Sequence, residues 1–249
     1  VRQVFTRFGR LLFLVILLGA TIQASAAEQR TEVMVVATMH RLHAKSSTYS
    51  YDDLYALVRK VKPDYVGVEI RAEDLNADPA YLAENYPREM IETAHTWAPN
   101  AFGFDWLGDE VAGAPVPADW WDKNCLVKKL ERELEADPAF RSKELEALDA
   151  VRMAIVTQAT SASLNDGRYD KSNDAYYELN RKLLSGSKYQ PISDFYAERD
   201  RHIDENITAF IKAHPGKRIV ILTGADHRSI LVRYLKTAFG NTVYLAPVP

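Results

Sequence analysis

The stretch Glu32–Glu69, EVMVVATMHRLHAKSSTYSYDDLYALVRKVKPDYVGVE, decides the fold. It opens with Glu32–Thr38, a β-branched run suited to a buried strand. A polar loop follows, and a helix is expected from Tyr51. Ser50 and Asp53 resemble an N-terminal capping pair, with Asp in place of the preferred Glu or Gln. Leu54, Leu57, Val58 and Val61 then recur at the i, i+3, i+4, i+7 spacing of a helix packed by one face. Pro63 and Asp64 end that helix and launch a second strand, Tyr65–Glu69. Strand, helix and strand form a βαβ unit, and its handed crossover makes the two strands parallel.

Working outward, four apolar runs each end on an ionisable residue: Val33–Ala37 leads to His40, Tyr65–Val68 to Glu69, Ala101–Phe104 to Asp105, and Ile219–Leu222 to His227. As neighbouring strands of one parallel sheet, they bring four metal-ligand or acid/base side chains to its carboxyl edge, where open α/β sheets bind ligands. Residues 73–99 read as mostly helical, broken near Pro79 and Pro87, before a third strand at Asn100–Trp106. Residues 107–119 shift to Gly, Pro, Ala and acids, a long surface loop closed by Trp120 and Trp121. Helical patterns follow at Asp122–Ala136 and Ser142–Ser161, the second with Leu145, Leu148, Val151 and Ile155 on one stripe. A polar stretch, Ser163–Asn173, precedes another helix ending near Leu184. A long helix at Ser193–His214, a strand at Arg218–Thr223, a helix at Ser229–Ala238 and a strand at Thr242–Leu245 return to α/β order. Ile230, Leu231, Tyr234, Leu235 and Ala238 form the apolar face of that last helix. The expected fold class is α/β, a mostly parallel central sheet flanked by helices. It forms a single domain over residues 27–249, with a helical insertion at about 107–187 lying over the sheet's edge as a lid.

Residues 1–26 read as a secretory signal peptide: Arg2, Arg7 and Arg10 precede the apolar run Leu11–Ala20, and Ala24-Ser25-Ala26 follows. The apolar run is about half the roughly twenty residues a bilayer-spanning helix needs. A secreted or periplasmic protein without stable membrane insertion after cleavage is therefore expected. Removing three arginines and no acids takes the formal charge from −3 to −6, an acidic balance that does not suggest nucleic acid as a partner. Cys125 stands alone, so no intramolecular disulfide is expected and the fold must hold by packing.

His40 and His227 each follow a buried strand and a short turn of small residues, a pattern that aims imidazoles at one edge. Glu69 directly follows Tyr-Val-Gly-Val, where a carboxylate is costly to bury unless paired or bound to a cation. Asp105 has a similar setting between Phe104 and Trp106. Asp226 reads as the cap of the next helix, and His43 as a loop residue facing solvent. On the long helix, Phe195, Arg199, Ile203 and Ile207 lie at successive i+4 steps, placing a guanidinium on the apolar stripe. A buried arginine needs an anionic partner, which Glu69, Asp105 or a bound anionic group could supply. Tyr196 is one turn upstream and could reach the same pocket.

Taken in order, Ala37-Thr38-Met39-His40, Lys62-Pro63-Asp64-Tyr65-Val66-Gly67-Val68-Glu69, Glu198-Arg199-Asp200 and Gly224-Ala225-Asp226-His227 resemble the TraB/TIKI family. That family belongs to a superfamily with erythromycin-esterase-like and ChaN-like proteins. The similarity covers both ends of the chain after the leader but not its helical middle. The family's two Gly-x-x-His motifs, strand-end Glu and helix Arg fall on His40 and His227, on Glu69 and on Arg199. Ala37 stands where the first motif usually has Gly. The resemblance implies a hydrolase: TIKI-like members are metal-dependent proteases, erythromycin-esterase-like members use a histidine base without metal, and ChaN-like members bind haem.

The leading expectation is a hydrolase of peptide or small-molecule ester bonds with His40, Glu69, Arg199 and His227 as catalytic residues. His40, Glu69 and His227, with Asp105 as a further ligand, would hold Mn²⁺, Co²⁺ or Zn²⁺ to lower the pKa of a bound water, and Arg199 would stabilise the oxyanion. In a metal-free version His40 is the general base, oriented by Glu69. A second expectation is a non-catalytic protein that sequesters haem or a peptide, with Tyr49 and Tyr51 as candidate axial ligands.

Overall fold

The computed structural model describes residues 30–249; the expected signal peptide, 1–26, lies outside them. In chain order the elements are β1 (Thr31–Thr38), α1 (Tyr51–Val61), β2 (Tyr65–Val68), α2 (Pro79–Asn85), α3 (Arg88–Trp97), β3 (Ala101–Gly103), α4 (Leu126–Ala136), α5 (Lys143–Thr157), α6 (Ser161–Leu164), α7 (Arg168–Leu184), α8 (Gln190–Ala213), β4 (Arg218–Gly224), α9 (Ala225–Phe239) and β5 (Val243–Leu245). The strands form one parallel sheet in the order β3-β2-β4-β1-β5. The α/β class is therefore as the sequence reads. Among the described residues, no helix is long and apolar enough to cross a membrane.

The long strands β1 and β4 sit inside the sheet, paired from Glu32 opposite Arg218 to Thr38 opposite Gly224. Both are buried on both faces, which is why they read as continuous apolar runs. Met34 and Val36 point to one layer with α1 and α3, where Leu54, Val58 and Met90 are fully buried. Val33 and Val35 point to the other, against Ile203 and Ile207 of α8 and Leu231 and Leu235 of α9. Each such side chain removed from water contributes about 1.5–3 kcal/mol. Gly67 is needed on β2 because a Cβ there would lie 2.7 Å from the Phe102 ring and 2.9 Å from Ile221.

Local chemistry sets the boundaries. Ser50 and Asp53 form the full capping box of α1. Pro79 opens α2 and Pro87 caps α3, so the two expected breaks are two helix starts. Several boundaries move. β3 is shorter than Asn100–Trp106, although the Phe104 and Asp105 amides still donate to the carbonyls of Val68 and Ile70 at 3.2 and 3.1 Å. α9 starts at Ala225, four residues earlier than its apolar pattern, because the first turn faces the polar site rather than the core. In α5, Val151 is exposed and Arg152 is buried in its place. On α9 the apolar face divides, Leu231 and Leu235 meeting the sheet while Ala238 is exposed. The 107–119 segment is pinned from below by the buried Arg71, which donates to the Val111 and Ala114 carbonyls at 2.5 and 2.8 Å.

Candidate active site

Because β3, β2, β4 and β1 are consecutive in the sheet, their carboxyl ends form one row, and Asp105, Glu69, His227 and His40 gather there. Glu69 is the centre. One oxygen accepts from the Gly224 amide at 2.7 Å and the Thr223 hydroxyl at 3.1 Å; the other accepts from Arg199 at 2.8 Å. Burial by itself opposes ionisation of this carboxyl. His227, Arg199 and His40 outweigh burial and hold the carboxyl down to about 2.

Arg199 sits on the apolar stripe of α8 as its spacing requires, and finds both anions. Its Nε and Nη2 clamp Asp105 at 2.9 and 3.0 Å while Nη2 also reaches Glu69. Nη1 has no carboxylate and lies 3.2 Å from His227 Nε2. Breaking such a buried pair by removing one partner costs about 3–5 kcal/mol.

Each histidine is held through Nδ1 by a carboxylate. His227 is 2.6 Å from Asp200, one residue after Arg199. Burial and Arg199 disfavour its protonation, but Glu69 and Asp200 prevail and push it up to about 9. As a neutral ring protonated on Nδ1, it accepts from Arg199 Nη1. Protonated, its Nε2–H and Arg199 Nη1–H are two donors 3.2 Å apart, with Glu69 Oε1 3.8 Å from that Nε2. His40, in the left-handed backbone region at φ 48°, places Nδ1 2.8 Å from Glu89. Burial lowers its pKa, while Glu89 and Glu69 more than offset this and raise it. Its side chain is 40% exposed. Gly224 permits this approach: a Cβ there would lie 2.7 Å from His40 Nε2 and 3.6 Å from Glu69 Oε2.

No family model, curated protein or solved structure matches this chain.

Sequence reading missed Glu89, Asp200 in its role on His227, and Arg152. Glu89 was findable: it lies four residues before Thr93 on the buried face of α3, the same spacing that singled out Arg199. Two expectations are corrected. His43 is buried, not solvent-facing; its ring accepts from the Met39 amide and contacts the Tyr49 carbonyl, so it holds the 3₁₀ turn at His40–Lys45. Asp226 does not cap α9: it stands inside the first turn and binds Arg152, Tyr169 and Tyr177. Tyr49 is fully buried and donates to the Ala37 carbonyl, and Tyr51, half-buried, donates to that of His40.

A resident cation at His40, Glu69, His227 and Asp105 needs free lone pairs turned to one point. The donor set does not fit. Both Glu69 oxygens and both Asp105 oxygens are engaged, and the Arg199 guanidinium occupies the space between them. Among the described residues, no group of three or more His, Cys, Asp or Glu side chains is arranged to hold a metal ion.

Beside this edge lies a cavity of about 1010 Å³, bounded by the insertion on one side and by α8 and α9 on the other, with Arg199, Asp200 and His227 in its wall. Tyr196 also lines it, but its hydroxyl is held by Glu131 at 2.6 Å.

Proposed function

We propose that the protein is a hydrolase of carboxylic esters in which His40 is the general base, without a resident metal, on the plan of the erythromycin-esterase-like branch. The supporting observation is the pairing of Arg199 Nη1 and His227 Nε2, 3.2 Å apart at the wall of the cavity, beside a second carboxylate-held histidine. Both histidines are held by carboxylates, and His40, 40% exposed against 13% for His227, is the one open to water.

In this reading, His40 Nε2 takes a proton from water as its oxygen bonds to the ester carbonyl carbon, and Glu89 stabilises the imidazolium formed. The carbonyl electrons move to oxygen, where Arg199 Nη1–H and His227 Nε2–H receive the charge. Collapse of the tetrahedral species breaks the bond to the alcohol, which leaves with the proton held by His40. Glu69 bonds neither water nor substrate; it fixes Arg199 and keeps His227 protonated. The leader segment agrees with action outside the cytoplasm.

The test pairs an ester-hydrolysis screen with elemental analysis after incubation with Mn²⁺, Co²⁺ and Zn²⁺ and desalting. Hydrolysis that survives EDTA and is lost in His40→Ala, with no retained metal, is expected. Near one equivalent of metal, lost in the His40→Ala/His227→Ala protein, together with EDTA-sensitive hydrolysis, would replace this mechanism with the metal-dependent one.

A further inference from the structure

The cavity lies largely outside the catalytic row, and the resemblance gives it no role because its far wall comes from the middle of the chain. That wall is built from α4, α5 and α7, and its near wall from α8 and α9. Phe140, Leu145, Tyr176, Tyr177, Tyr196 and Ile230 give it aromatic and aliphatic faces. The tyrosines contribute rings more than hydroxyls: Tyr177 donates to Asp226 at 3.1 Å and Tyr196 to Glu131 at 2.6 Å. Tyr176 and Tyr177 meet edge to face with centroids 5.3 Å apart, and the Arg152 guanidinium stacks 4.2 Å from the Tyr176 ring.

The insertion is tied to the residue beside His227. Arg152 of α5 and Tyr169 and Tyr177 of α7 converge on Asp226, the residue before His227. Asn173 of α7 also donates to the Asp226 carbonyl at 2.9 Å. Arg152 is itself only 8% exposed, while the Asp226 side chain is 39% exposed at the cavity. The anchored wall consequently stands at a set distance from His227 Nε2 and Arg199 Nη1.

We infer that this cavity is an acyl subsite for an aromatic carboxylic ester, seating a fused or substituted ring system against Tyr176, Tyr177 and Leu145 while the carbonyl lies at Arg199 and His227. The inference rests on the ester-hydrolysis reading and adds the substrate class. At about 1010 Å³, the cavity matches the upper end of small-molecule pockets, roughly 300–1,000 Å³. Ring-on-ring contacts add about 0.5–1.5 kcal/mol beyond area burial. An extended peptide fits less well. It binds by adding main-chain hydrogen bonds at a sheet edge, and no residue of β3 or β5 lines the cavity.

Two readouts separate the subsite from the chemistry. Binding of N-phenyl-1-naphthylamine to the His40→Ala protein is followed by fluorescence, with and without Leu145→Trp or Ile230→Trp, which fill the cavity from opposite walls. In parallel, kcat/KM is measured for p-nitrophenyl 2-naphthoate and p-nitrophenyl acetate, using only those variants whose melting remains cooperative. Probe affinity and the naphthoate-to-acetate ratio are each expected to fall by about tenfold or more in the filled proteins. Unchanged probe affinity and an unchanged ratio in either folded filled variant would overturn the subsite. If neither ester is hydrolysed but the probe binds and is expelled by both tryptophans, the aromatic site stands and the hydrolase reading falls.

Discussion

Asp204 offers a test that needs no substrate. It lies one turn beyond Asp200 on α8, is 4% exposed, and borders the cavity. Burial, with Asp200 and Glu205 nearby, outweighs the attraction of His227 and raises its carboxyl from 3.8 to about 7. A carboxyl that holds its proton more tightly when folded makes folding take up a proton. Its contribution is fully present below pH 3.8 and is lost as pH rises through about 7. At about 1.4 kcal/mol per pH unit the whole loss is roughly 4 kcal/mol, of which roughly 2 kcal/mol falls above about pH 5.5. Asp204→Asn keeps the shape but cannot ionise. Relative to the parent protein, its unfolding free energy should shift in its favour by about 2 kcal/mol between about pH 5.5 and about pH 8.5. Urea unfolding followed by tryptophan fluorescence at the two pH values, with m-values compared, measures this. A stability difference that is the same at both pH values would refute the buried, proton-holding carboxyl.

The active-site assignments make further predictions. Hydrolysis should follow a bell-shaped pH profile, rising through a His40 limb above 6.5 and falling near 9 as His227 loses its proton. Glu89→Gln should move the acidic limb downward and lower kcat by about ten- to a hundredfold; an unmoved limb would remove Glu89 from the mechanism. Gly224→Ala puts a methyl against His40 Nε2. It should cut kcat/KM by at least about tenfold, read beside a melting curve that reports the fold. Arg199→Met leaves two buried carboxylates uncompensated and should cost about 3–5 kcal/mol in urea unfolding; a loss below about 1 kcal/mol would mean that the Glu69–Arg199–Asp105 clamp carries no net structural weight.

Patterned burial made much of this protein legible in its sequence. Continuous apolar runs at Val33–Ala37 and Ile219–Leu222, bounded by turn residues and rich in β-branched side chains, read as strands buried on both faces, and Leu54, Leu57 and Val58 as one face of a helix. Those periodicities follow from backbone geometry and water, and hold before any tertiary contact is known. Arg199 was legible for the same reason, since a charge on an apolar stripe must meet a counter-charge. Strand order was not legible. The placement of β4 between β1 and β2, which turns four separate strand ends into one row, depends on packing across the whole chain. Partners within that row were likewise decided in three dimensions. Glu89 against His40, Asp200 against His227 and Arg152 against Asp226 are polar pairs, and polar residues carry no periodic signal of whom they will meet. The most direct consequence concerns the expected metal. The sequence supplies His40, Glu69, Asp105 and His227 in ligand-like order, while the fold delivers Arg199 among them, so the carboxylate lone pairs of Glu69 and Asp105 are directed to a guanidinium.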